Sequence, residues 1–462
     1  MKPMARLLLS TVLLGSTGGC KIYHSLPLDQ KAKDAALASP DLPRIQVQAQ
    51  ELRHPILKPL TIDLRNGLSP DEAAVLAVLV NPDLKGVRDQ RALAEAQLLD
   101  AGLLPDPILT YTQDNPVGAD QQGAVIGHST QLSMDLTGML TRSLKRRAAK
   151  ATQLSVDLDV AWQEWQVAEA AKLSVYRISA LDPQLDVANE AVGALEAMLQ
   201  ALEQTALRGE ISQGDVASIR VALDAARRNA LAIRQSRDRE RQTLNALLGL
   251  PPHEEVALKK PSGEALKYRP WDDLPSEQRL VQGLDRRLDL VALQKGYESQ
   301  DARVRLAIWS QFPSIGLSLN RSQDTFNLAT RGFGVAVSLP FFNRGQGLVA
   351  IENATRQQLY DQYLARLFHA RADVAQILSD MKAVKDMIIA AEAALPALET
   401  QAEAGDGLFG QGSMDLLSRN QMRLALLSQR ATLASLKANL DDLGVALEIV
   451  TGRPFLPEEG QR

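Results

Sequence analysis

The chain has 462 residues, a net charge of −4, an aromatic content of 4% and one cysteine. That net charge suggests no nucleic-acid partner, and a lone cysteine excludes internal disulfides and multi-cysteine metal sites. Ala, Leu, Gln, Glu and Arg crowd the middle stretches, the bias of long helices and coiled coils.

Residues 1–19 read as a signal peptide: Lys2 and Arg6 are followed by an apolar run from Leu7 to Leu14 and then small residues. The run is too short to span a bilayer as a helix. Gly18-Gly19-Cys20 has the form of a bacterial lipobox, so Cys20 is the candidate lipidation site, carrying diacylglycerol and a fatty acyl chain. Lys21, rather than an aspartate, favours the outer membrane in that sorting pattern. Residues 20–66 contain five prolines with little periodicity and predict an extended, irregular arm.

The first repeat covers 67–250. Ser69-Pro70-Asp71-Glu72 starts a helix with an N-cap serine, proline at the first position and acids in the first turn. Asn81-Pro82 breaks or kinks it, and it ends near Gly102. From Ile108 to Gln113, and again at Leu132, Met134 and Leu136, the period falls to two, which predicts a strand hairpin. A helix from Arg142 to about Leu207, with Pro183 inside, then spans about 100 Å. A turn around Gly209, Ser212 and Gly214 sends a return helix from Asp215 to Leu248. Prolines punctuate 251–285, a joining segment rather than a further domain.

The second repeat covers 286–455, with a tail at 456–462. Ile315, Leu317 and Leu319, then Val335, Val337 and Leu339, alternate with small or polar residues in a second hairpin. A helix from Leu348 to about Ala404, with Pro396 inside, leads to a glycine-rich turn at 405–412 and a return helix from Ser413 to Val450.

The two halves keep nearly constant offsets. Asn81-Pro82-Asp83-Leu84 returns as Arg287-Leu288-Asp289-Leu290 after 206 residues, Leu132-Ser133-Met134 as Val337-Ser338-Leu339 after 205, and Gly249-Leu250-Pro251 as Gly452-Arg453-Pro454 after 203. Such a period is too long for a solenoid and marks a duplicated half-protein. Each half supplies one hairpin whose strands suit a tilted bilayer crossing. Four strands cannot close a barrel, and open edges do not persist in lipid. Partner copies are therefore required: eight strands from a dimer fill their own interior, whereas twelve from a trimer leave room for a pore, which suits the small polar faces.

These landmarks, with Ala101-Gly102-Leu103-Leu104-Pro105, Phe312-Pro313 and Ser338-Leu339-Pro340-Phe341-Phe342-Asn343-Arg344-Gly345, give the chain a resemblance to the TolC family of bacterial outer membrane efflux proteins, in its lipoprotein subgroup. The resemblance implies a mainly α fold with a membrane β-barrel: a homotrimer, a twelve-stranded barrel in outer membrane lipid and a periplasmic tunnel of coiled-coil helices. It also implies helical tips that dock on a periplasmic adaptor bound to an inner-membrane transporter, and passive export without catalysis. Asp215 and Asp415 match the tip aspartates of the family, which close the entrance, although Ser418 stands where a second acid is common. N-capping accounts for either aspartate without a gate. Gly209, Ser212, Gly410, Gly412 and Ser413 lie at the tips and would meet the adaptor. Two other readings are a periplasmic lipoprotein rod with a tethering role and the duct of a type I protein secretion system.

The glycine-rich segment Asn343–Gly347 lacks the Lys-Ser/Thr of a phosphate loop, and the five histidines show no ligand spacing. No nucleophile elbow is present. Trp162 and Trp165 have the spacing of helix core residues, while Trp309 suits either a membrane interface or helix packing.

Overall fold

The computed structural model describes residues 22–117, 123–208, 211–259 and 274–455. Residues 22–40 belong to a first unit, which among the described residues carries helix α1 (Gln30–Leu37), capped by Asp29 and wholly exposed. The second unit begins at Asp41. Its first helix, α2 (Leu42–Gln50), buries Ile45 and Ala49. The segment expected to be an irregular arm therefore carries two short helices; Asp29 and Asp41 stand at their N-caps, and apolar side chains of α2 join the core.

Helix α3 (Pro70–Val80) opens with a complete capping box between Ser69 and Glu72. Asn81 ends α3 and caps α4 (Pro82–Ala101), its Oδ1 accepting the amides of Asp83 and Leu84 at 3.0 and 3.1 Å. Strands β1 (Ile108–Asp114) and β2 (Gly127–Asp135) follow. Helix α5 (Leu136–Leu207) starts at once from β2, six residues earlier than the alternation suggests, and runs through Pro183 for 72 residues, about 108 Å. It returns as α6 (Gln213–Leu247).

The second half contains α7 (Glu277–Gln282), α8 (Leu288–Trp309), β3 (Ser314–Gln323), β4 (Ala329–Ser338), α9 (Gln346–Gly410) and α10 (Leu416–Thr451). The glycine cluster expected to turn the chain at 405–412 turns it only at the end. α9 continues through Gly405 and Gly407, and Gly405 gives α10 a close approach: a Cβ there would lie 2.9 Å from the Met422 sulfur.

Each half has its own apolar core. Leu68, Leu76, Val175, Ile178, Leu244 and Leu248 centre the first, and Leu284, Leu290, Val374, Met381, Val445 and Leu447 the second. Trp165 is fully buried beside Trp162 in a smaller cluster. The duplication persists in atomic contacts. Asn81 donates from Nδ2 to the Leu247 carbonyl at 3.1 Å, and Arg287 donates from Nη1 to the Val450 carbonyl at 2.9 Å. Asn245 holds the carbonyls of Pro251, Pro252 and Glu254, while its counterpart Glu448 accepts the Phe455 amide at 2.6 Å. Gly249 and Gly452 take positive φ angles of 60° and 65° beside these contacts.

Candidate functional site

The four strands form one antiparallel sheet in the order β1-β2-β3-β4, so the two hairpins pair across the halves through β2 and β3. β1 and β4 are left as its outer edges. Register sorts the side chains into two faces, because residues directly opposite one another share a side. One face carries the row Leu109, Leu132, Leu319, Phe333, the row Met134, Leu317, Val335 and the pair Ile315, Val337. All are exposed large apolar residues. The opposite face carries Thr110, Gln131, Asn320, Gly332 and, above them, Thr112, Ser129, Ser322, Thr330. Gly334 makes room on that polar face: a Cβ there would lie 2.7 Å from the Ser318 hydroxyl. An exposed apolar face and a polar face on a sheet with open edges are the pattern of a barrel-wall segment.

Aromatic side chains gather where sheet meets helix. The rings of Trp309 and Phe312 meet at a tilt of 57° with centroids 5.9 Å apart, and Phe312, Phe341 and Phe342 are strongly exposed. Below this level, an open groove at the root of α5 is lined by Leu98, Met139 and the basic series Arg142, Arg146, Arg147 and Lys150.

At the far end, the two tips are capped in opposite senses. In the first, Ser212 is the N-cap of α6: its Oγ accepts the Asp215 amide at 3.2 Å and donates to Asp215 Oδ2 at 2.7 Å. In the second, Asp415 is the N-cap of α10: its Oδ1 accepts the Ser418 amide at 2.8 Å, and its Oδ2 accepts the Ser418 hydroxyl at 2.7 Å. Serine and aspartate have exchanged places. The Ser418 amide, then its hydroxyl, hold the Asp415 carboxyl below the usual aspartate range. Ser418, which the sequence marks only as a missing acid, is thus the partner of that carboxylate.

Gly412, with φ +70°, closes α9: its amide donates to the Phe409 carbonyl at 2.9 Å and the Ser413 amide to the Leu408 carbonyl at 2.9 Å. Gly410 is the last residue of α9 rather than part of the turn. Arg419 pairs with Asp406 and lies 5.0 Å over the Phe409 ring, and Arg423 binds Glu190 of α5 at 3.0 Å. Gly209, Cys20 and the signal peptide lie outside the described residues.

Midway along the helices, a buried ionic group invisible to local sequence reading ties the halves together. Lys172 of α5 donates to Glu448 of α10 at 2.6 Å and lies 3.3 Å from Asp71 of α3. Burial works against the Lys172 charge, but Glu448, Glu169 and Asp71 outweigh it and raise its pKa. Burial pushes the Glu169 carboxyl well above the usual range, with Lys172 opposing. A second group joins Arg287 to Asp289 at 2.7 Å and Asp289 to Arg366 at 3.0 Å, with Arg287 5.0 Å over Trp162.

Residues 280–453 match the outer membrane efflux protein family. The cobalt-zinc-cadmium resistance protein CzcC of Cupriavidus metallidurans is 26% identical over 303 residues, 64% of this chain and 69% of CzcC. The fold is that of the outer membrane protein VceC of Vibrio cholerae, with a TM-score of 0.67 at 18% identity over 84% of this chain and 97% of that one. It is also that of the CmeC outer membrane channel of Campylobacter jejuni, with a TM-score of 0.69 at 15% identity over 94% of each. The match to the outer membrane efflux protein family lies in the second half, and the sheet and long helical hairpins have the fold of these outer membrane channels.

Proposed function

We propose that three copies of this chain form a passive export duct, with a twelve-stranded barrel in the outer membrane and a helical tunnel in the periplasm. The single observation that carries this reading is the sheet: its four strands have two unpaired edges, one apolar exposed face and one polar face. A tripartite arrangement follows, in which the capped tips meet a periplasmic adaptor and an inner-membrane transporter supplies the energy. Cys20, acylated, adds a lipid anchor. Six tips, alternating between the two capping patterns, would ring the entrance, and the Asp415 carboxylates near the axis would narrow it to cations.

The duplication supplies the register of the seam between copies. Within the chain, Ser133 faces Ser318 across β2 and β3. Carrying Ser133 forward by 205 residues and Ser318 back by 206, the offsets of the sequence repeat, pairs Ser338 with the partner subunit's Thr112. A T112C/S338C double variant, in a Cys20→Ser background, is expected to give a covalent ring of three chains on mild oxidation in isolated outer membranes. Its reduced form should give pores in planar bilayers. A monomer without conductance, with the cysteines free, refutes the duct and favours the tethering rod.

A further inference from the structure

We propose that Arg321 and Arg331 form a paired-guanidinium clamp for the phosphate of an outer-leaflet lipid, on the lipid-facing wall of the barrel. The inference rests on the barrel reading given above. The two residues are direct cross-strand partners on β3 and β4. Register places them in one row with Tyr111 and Thr130, immediately above the apolar row Leu109, Leu132, Leu319, Phe333 and on the same face. Both are exposed, and neither side chain has a hydrogen bond or ion pair among the described residues. Like charges directly opposed across strands destabilise a sheet. Their juxtaposition at the upper edge of the apolar face, in a row whose other members, Tyr111 and Thr130, are uncharged, therefore calls for an anion.

Height along the wall identifies its source. Nine residues separate Phe312, in the aromatic group at the helix junction, from Arg321. At about 3.3 Å per residue and a strand tilt of about 40°, that is about 23 Å along the barrel axis. The apolar band of an outer membrane barrel is about 25 Å tall, with aromatic girdles at both rims. Phe312, Trp309 and Phe341 mark one rim, and Tyr111 and the arginines the other, at the level of the outer headgroups. Arginine presents a planar fork suited to phosphate, and two forks side by side hold one phosphate through several charged hydrogen bonds. Phe333, Leu319 and Val335, just below, give an acyl chain a wall to lie against. Free phosphate would use only the upper half of this surface, so the occupant is a phosphorylated lipid.

The test is native mass spectrometry of the detergent-solubilised full-length protein with diphosphorylated lipid A, enzymatically dephosphorylated lipid A and sodium phosphate. Trimers are expected to retain up to three diphosphorylated lipids, with affinity for the dephosphorylated lipid weaker by at least about tenfold. Sodium phosphate at equal concentration should not displace the lipid. R321Q/R331Q is expected to lose the preference for the phosphorylated lipid, and R321K/R331K to keep part of it. Equal binding of both lipids by the unaltered protein, or an unchanged preference in R321Q/R331Q, overturns the clamp; should the variant fail to fold, the comparison of lipids on the unaltered protein decides. Displacement by phosphate alone also overturns the lipid assignment. Lipid-free trimers sink the clamp alone, whereas lipid-free monomers sink the barrel reading with it.

Discussion

Removing the Lys172 ammonium by Lys172→Met should be the most damaging single charge change in the helical body. The side chains of Lys172 and Glu448 are 3% and 0% exposed and 2.6 Å apart. At an effective dielectric of about 20 their gross attraction is about 6 kcal/mol. Desolvation consumes most of that, but the substitution leaves the Glu448 carboxylate buried without its cation, beside Glu169. Breaking one side of such a pair costs about 3–5 kcal/mol. Lys172→Met/Glu448→Gln removes both charges while keeping an oxygen to accept the Phe455 amide, and should recover at least about 2 kcal/mol of that loss. The assay is guanidinium unfolding of the helical circular dichroism signal in detergent, with trimer bands checked in parallel. If the two single losses add in the double variant to within about 0.5 kcal/mol, the pair is not coupled and the account of this cluster is wrong.

Gly452→Ala should destabilise more than Gly249→Ala, although both glycines hold a left-handed φ that costs alanine about 1–2 kcal/mol. At Gly452 the new Cβ meets Arg287 Cγ at 2.8 Å and the Trp162 ring at 3.3 Å, whereas at Gly249 the nearest atom is the Val80 carbonyl oxygen at 3.2 Å; equal melting temperatures would contradict this. Asp415→Asn keeps an N-cap but removes the charge, so conductance should rise and cation preference fall with the tip intact, while Asp415→Ala should also speed amide exchange at Ser418. Because the folded Asp415 pKa lies below its ordinary value of 3.8, the cap is fully present above that value and is lost as pH falls through the lowered one. Exchange at Ser418 that is flat across this acid range would remove the carboxylate from the capping role. Cys20→Ser should abolish radiolabelled lipid incorporation yet leave the trimer, since a closed barrel is the stronger anchor; retained label would contradict the lipobox.

Features governed by local chemistry were legible in the residue string. The Ser69 capping box, the break at Asn81-Pro82, the period-two strands and the tandem repeat all follow from short-range patterns. What depended on contact between distant segments was not. Gly405 looks like a turn glycine among its neighbours; only the packing of α9 on α10 shows that it serves close helix approach. The exchange of Ser212 for Asp415 as cap was hidden because both tips contain the same residue types at slightly different spacing. Lys172 and Glu448 sit 276 positions apart, beyond any periodicity. The β2–β3 pairing joins two hairpins whose own sequences say nothing about which strand lies beside which.

That β2–β3 junction stands where a boundary between separate molecules would otherwise lie. In the proposed three-copy ring, fusing two hairpins into one polypeptide lowers the order of assembly from six chains to three, so ring closure would depend far less steeply on how much protein reaches the membrane. In that ring, alternate positions would no longer have to be identical, and the inverted caps at the two tips are where this chain's halves differ.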